Sequence, residues 1–165
     1  MTRLLGIDLG ERRIGLATAE PGREPARPLM TVPRGADLAA DIARFRVVVG
    51  EQRIDALVVG LPLEASGAEG PMAIGARAWA AAIGEALGLP VAMRDERLSS
   101  HVAETRLGSM PRGRAGGPPS RVQRERYRAR VDREAAAIIL QDELDAQAAE
   151  SRAGEAGPVG AGDGR

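Results

Sequence analysis

An α/β fold, with a mixed five-stranded sheet and helices on both faces, is predicted by three features of the chain. The first 33 residues hold three short apolar runs separated by turn residues, which reads as antiparallel pairing. From residue 37 onward, strand-length apolar runs alternate with stretches whose apolar residues recur at helical spacing. That alternation is the pattern of parallel strands joined by helices. One run, DALVVGLPL at 55–63, is apolar almost throughout, as a strand covered on both faces should be.

In chain order, RLLGIDL at 3–9 and RIGLATA at 13–19 are joined by GERR and read as a hairpin. RPLMTVP at 27–33 is a third strand, which Pro28 and Pro33 assign to a sheet edge. A helix follows over 37–53, with Leu38, Ile42, Phe45, Val48 and Val49 on its apolar side. After the fourth strand and the loop EASGAEG, Pro71 starts an Ala-rich helix that lasts to about Leu87 and is stopped by Gly88. LPVAMRDE at 89–96 is the fifth strand, and Ser99 or Ser100 is a candidate cap for the next helix. Residues 108–121 are Gly, Pro and Arg and read as a mobile basic loop. A last helix is expected over about 123–147. The domain is thus expected over 1–148, with a disordered tail at 149–165. This element order, with an acid on the first strand, resembles that of ribonuclease H-like domains.

A chain of 165 residues without cysteine excludes disulfides and thiolate metal sites. No apolar run reaches membrane-span length and no signal peptide opens the sequence, so a cytoplasmic protein without a membrane partner is expected. The formal net charge is zero, but its distribution is uneven. All 23 basic residues are Arg, and nine of them lie between Arg106 and Arg133 against only Glu125 and Asp132, before the balance turns acidic. Such a block gives a local positive field suited to a polyanion. With Phe45, Trp79 and Tyr127 the only aromatics, a base-stacking platform is excluded.

Asp8 stands in an apolar strand, on the face of Leu4 and Gly6. A buried carboxylate needs a partner, and a strand-end Asp bound to turn amides or to Arg12 or Arg13 would supply one. Two further acids change the weighing. Glu96, beside Asp95 in RDERLSS, ends a strand where a helix begins. Asp132 in RVDREAAAIIL opens the apolar part of the last helix. Taken singly they read as an acid favoured by a helix dipole and as an N-cap. Together they form a hard-oxygen set suited to Mg²⁺ or Mn²⁺.

GIDLGERRIGLA, VVGLPL, DERLSS and VDREAAAIILQ, in that order, resemble the four motifs of the YqgF/RuvX family, over about residues 3–145. That family is related to the RuvC Holliday-junction resolvases and is associated with pre-16S rRNA processing. The resemblance implies a ribonuclease H-like nuclease, catalysis and metal binding by Asp8, Glu96 and Asp132, and the turn arginine at Arg13. The chain departs from the family pattern at Glu64, at Ser99 and Ser100, and in a basic loop built from Arg alone. The expected chemistry is two-metal phosphodiester hydrolysis. Arg13, Arg112, Arg114 and Arg121 would hold flanking phosphates. Precursor 16S rRNA, trimmed at its 5′ end, is the expected substrate, with branched DNA as the alternative. A non-catalytic nucleic-acid-binding module is the rival of another class, disfavoured by retention of all three acids. GIDLG also resembles the phosphate loop of actin-like ATPases, but ERR is bulky for a phosphate cradle and the chain is too short for two such domains. The lone His101 reads as an exposed helix residue.

Overall fold

The computed structural model describes residues 2–155. Five strands, β1 (Leu4–Leu9), β2 (Arg13–Ala19), β3 (Arg27–Pro33), β4 (Ala56–Leu61) and β5 (Val91–Asp95), form one sheet in the order β3-β2-β1-β4-β5. β3, β2 and β1 pair antiparallel, and β1, β4 and β5 pair parallel. β1 is therefore central, and the Pro-bearing β3 lies at an edge, where missing N–H donors matter least.

Strand alternation sends side chains to two unlike faces. On one face Leu5, Ile7, Ile14, Leu16, Leu57 and Val59 pack with Phe45, Trp79 and Ile83 of helices α1 (Leu38–Gln52) and α2 (Pro71–Leu87). Asp37 caps α1 by accepting from the Ala40 N–H. Pro71 opens α2, and Gly88, at φ 67°, closes it. Buried Asp41 is satisfied by Arg34, the Gly35 N–H and Trp79 Nε1, and so ties the end of β3 to α1 and α2.

On the other face Leu4, Ala17, Ala19 and Val58 are small or sparse, and one long helix lies across them. Helix α3 (Ser99–Leu107) precedes it, with a single 3₁₀ turn at Arg114–Gly116 between. The long helix, α4, runs from Arg121 to Glu155 and presents Ala136, Ala137, Ile139 and Leu140 to the sheet. Close approach is set by glycine: a Cβ on Gly6 would lie 2.7 Å from the Ala136 carbonyl oxygen. Thr31 donates to the Ala129 carbonyl, Tyr127 to that of Gly108, and Arg94 pairs with buried Glu143.

Three expectations are corrected. α4 starts at Arg121 and continues to Glu155, so Arg121 is helical, and so are residues 149–155 of the expected tail. The remainder, 156–165, lies outside the described residues. Ser99 is the first residue of α3 rather than its cap, a position taken by Leu98, and its hydroxyl donates back to the Glu96 carbonyl. Asp132 is no N-cap, since it lies in the eleventh residue interval after Arg121, well inside α4. The arginine-rich run and the apolar segment form one helix, as expected, since arginine is a good helix former. No helix among the described residues is long and apolar enough to cross a membrane.

Candidate active site

Asp8 and Glu96 come together on the α4 face, at the end of the sheet where β1, β4 and β5 terminate, and Asp132 lies close enough for its charge to act on Asp8. Asp8 is the fifth residue of β1 and pairs in register with Gly15 of β2. On its other side lies Gly60 of β4, one residue beyond the Ile7–Val59 pair. Asp8 thus has a glycine beside it on each neighbouring strand. Each of the other acids comes in over one of them.

Glu96 follows β5, and its N–H donates to the Leu61 carbonyl. Adjacent strands are about 4.8 Å apart, so a side chain from the end of β5 must cross β4 to reach β1. Gly60 makes that crossing possible, because a Cβ there would lie 1.9 Å from Glu96 Oε2. Asp132 arrives from the opposite side. The backbone of α4 rests on β2 at Gly15, where a Cβ would lie 2.0 Å from the Asp132 carbonyl oxygen. Arg13 Nε donates to Asp132 Oδ2 at 2.6 Å. Sequence reasoning missed both glycines as site residues. A glycine inside an otherwise apolar strand is the available signal for close approach of another group.

Burial dominates the electrostatics. It raises the Asp8 carboxyl to about 6, helped by repulsion from Asp132 and opposed by a hydrogen bond with Glu96. Burial, then the charge of Asp8 and the same hydrogen bond, raise Glu96 to about 8. Two ionised carboxylates cannot bond each other, so a hydrogen bond between them requires one proton across the pair. Glu96 Oε2 is buried without a donor among the described residues. Asp132 is also raised by burial, with Arg13 and Arg128 opposing.

A buried carboxylate oxygen with no donor, beside a second acid that repels it, is a cation-seeking arrangement, and hard oxygens fit Mg²⁺ or Mn²⁺. The expected set of three is nevertheless not closed. Among the described residues no three acidic or imidazole side chains are gathered tightly enough to hold a metal ion. Asp8 and Glu96 come together, while Asp132 is engaged by Arg13.

The basic residues divide in two. Arg13, Arg12 and Arg128 line a polar cleft of about 440 Å³ together with Gly10, Glu11 and Asp132. Arg112 and Arg114 are exposed on the segment before α4, and Arg121 is exposed at its start, about 16 Å along the helix axis from Asp132. Arg124 and Arg128 were not singled out in the sequence. Helical spacing puts them, with Arg121, on the same stripe as Asp132. Arg97, next to Glu96, is paired with Asp95. His101 is exposed on α3.

This sheet order, with a carboxylate on the central strand and two more converging on it, defines a protein of the RuvC-type ribonuclease H-like architecture. RuvC of Thermus thermophilus matches with a TM-score of 0.51, over 90% of this chain and 97% of that one, at 18% identity. The same resolvase in complex with a Holliday junction substrate matches at 0.50, over 90% of this chain and 96% of that one, at 19% identity. At such identities the likeness establishes the fold.

The chain belongs to the RuvX family, described as Holliday junction resolvase, whose sequence model matches residues 2–146. A relative in Anaeromyxobacter dehalogenans strain 2CP-1 is 47% identical over 146 residues, 88% of this chain and 98% of its own. One in Chloroflexus aggregans is 39% identical over 144 residues, 87% of this chain and 94% of its own. Both carry the name "Putative pre-16S rRNA nuclease". The family read from the four motifs is therefore the one found.

Proposed function

We propose that the chain is a divalent-metal-dependent endonuclease that hydrolyses phosphodiesters of structured nucleic acid, and that its substrate is the 5′ region of precursor 16S rRNA. The observation that carries this reading is the buried Asp8–Glu96 pair with its unpartnered Oε2, with Asp132 close enough for its charge to act on Asp8. The names of the relatives support the rRNA substrate, and work in the cytoplasm fits such a substrate.

Asp8, Glu96 and Asp132 would hold Mg²⁺ or Mn²⁺, in the two-metal manner expected from the sequence. The bound cation supplies Lewis acidity toward the phosphate and lowers the pKa of the attacking water. The chain's own residues do the rest. Asp8 and Glu96 present anionic oxygens once any proton between them has passed to solvent. Arg12, Arg13 and Arg128 orient the phosphate from the cleft. Arg112, Arg114, Arg121 and Arg124 hold flanking phosphates, which favours backbone shape over base sequence.

The test offers purified chain with Mn²⁺ a precursor 16S rRNA 5′ leader and, in parallel, a four-way DNA junction. Cleavage of the leader is expected. Asp8→Asn should lower it by more than about 100-fold, since even groups that only support metal ligands are worth 10–100-fold. Full activity in Asp8→Asn would sink the nuclease reading. Cleavage of the junction alone would assign branched DNA instead. Binding without cleavage of either would make the chain a nucleic-acid-binding module.

A further inference from the structure

The Arg13–Asp132 pair is a contact that the proposed chemistry does not itself need. Asp132 cannot serve Arg13 and a cation with the same oxygen, and Arg13 cannot fully serve Asp132 and a phosphate. Both partners are held from behind. The turn carrying Arg13 is closed by the Gly10 N–H on the Arg13 carbonyl at 2.9 Å, and by the Arg34 N–H on the Arg12 carbonyl at 2.8 Å. The Asp132 backbone is seated over Gly15. Only the side chains are free to exchange partners.

Three features point to an exchange rather than a fixed strut. Arg13 meets Asp132 through Nε alone among the described residues, so a single hydrogen bond has to break for the exchange. The pair borders the polar cleft of about 440 Å³ that Arg12 and Arg128 also line, so an anion entering there meets three guanidinium groups. The pair is only partly buried, with 29% of the Arg13 side chain and 22% of the Asp132 side chain exposed, so breaking it strands neither charge in a dry interior. Meanwhile the Asp8–Glu96 half of the site has an oxygen with no partner.

We propose that Arg13 is a positioning residue that competes with the cation for Asp132, and that a substrate phosphate in the cleft draws Arg13 away and frees Asp132 to bind metal. The proposal rests on the reading of Asp8, Glu96 and Asp132 as metal ligands. One ion pair becomes two, Arg13 with phosphate and Asp132 with the cation, and charge stays balanced throughout. Guanidinium suits the exchange because phosphate can take it in bidentate fashion, whereas Asp132 holds it by one bond. Since both ligands break the same pair, whichever binds first leaves less for the second to break. Nucleic acid must then tighten metal binding, and metal must tighten nucleic-acid binding by the same factor.

The test is a Mn²⁺ titration of the full chain, read as free Mn²⁺ by electron paramagnetic resonance, with and without saturating phosphorothioate RNA that resists hydrolysis. In the wild type, RNA should tighten Mn²⁺ binding roughly tenfold, a factor usual for coupled sites. Arg13→Gln should bind Mn²⁺ about as tightly without RNA as the wild type does with it, and RNA should add little. Arg13→Lys, a point charge with a weaker hold, should fall between, and decides the matter if Arg13→Gln does not fold. Unchanged or weaker Mn²⁺ binding in these variants without RNA would overturn the proposal, as would a wild-type affinity indifferent to RNA. Asp8→Asn separates the two readings. If it binds Mn²⁺ like the wild type, the metal-site reading fails. If it loses Mn²⁺ while Arg13→Gln gains nothing, the exchange alone fails.

Discussion

Asp8 is approached from two sides, and the two approaches are built differently. On the β4 side a flexible side chain makes the crossing. Glu96 leans over Gly60, its Oε2 has no donor among the described residues, and its carboxyl is raised by burial and by the charge of Asp8. On the β2 side the backbone makes the approach. The α4 chain presses on Gly15, and Asp132 is committed to Arg13. One glycine clears room for a functional group, the other for a structural element. The same residue type on the same row of the sheet therefore does two jobs, and the difference is open to experiment.

The largest expected effects come from filling the two glycines. Gly60→Ala puts a methyl where Glu96 Oε2 lies and 2.7 Å from Ile139 Cδ1, and both are far ends of side chains that can shift without moving the backbone. Activity should fall at least tenfold, as for lost metal-site support, with little change in melting temperature. Gly15→Ala meets a carbonyl that cannot move without α4. It should cost about 1–3 kcal/mol of stability, or roughly 2–4 °C in Tm per kcal/mol at this chain length. Parallel thermal unfolding and cleavage assays check both. Equal losses of stability would erase the distinction between the two sides.

A second effect, of intermediate size, is the pH dependence of the metal-free chain. The Asp8 and Glu96 carboxyls are raised on folding to about 6 and about 8 from 3.8 and 4.5. Between those values the folded chain holds more protons than the unfolded one, so stability is fully present below about pH 4 and is lost as pH rises toward 8. The carboxyls lowered by exposed arginines, Glu20, Glu69 and Asp95, act in the opposite sense only below their ordinary range. Tm of metal-free protein should therefore decline from pH 5 to 8.5. Glu96→Gln should flatten the decline. A Glu96→Gln curve parallel to the wild type would place the titrating proton elsewhere.

The smallest effect sharpens the Glu96 side alone. The Ser99 hydroxyl donates to the Glu96 carbonyl at 2.9 Å and steadies the backbone from which the side chain leans. Ser99→Ala should cost about 1 kcal/mol of stability and lower cleavage modestly, without altering Mn²⁺ binding through Asp132. A variant with unchanged stability would remove the serine from the support of this arm.

Much of the fold was legible in the sequence because its signals are local. Paired apolar runs around GERR, Pro28 and Pro33 at an edge, Pro71 before α2 and Gly88 after it each act within a few residues. The three acids were legible because each sits in an improbable place or a recognisable motif. What was not legible was long-range. The pairing of Arg13 with Asp132 spans 119 positions and depends on how α4 seats on β2. The extent of α4 was underread mainly at its distal end, because residues 148–155 carry no large apolar side chain and so give no apolar periodicity. Gly15 and Gly60 were visible as residues, but the clearances they provide belong to the packed molecule.

The placement of Asp132 inside an unbroken helix has a consequence for how the chain can vary in length. Each residue of an α-helix turns about 100°. One residue added between Asp132 and Ala136 would swing the carboxylate to another side of α4 while the contact with Gly6 held its register. The same addition in the segment between Gly108 and Ser120, or beyond the last sheet contacts of α4, would leave the acid facing Asp8. Insertions and deletions are thus tolerable in the arginine-bearing connection and at the distal end of the helix, and forbidden in the stretch that couples the helix to the sheet.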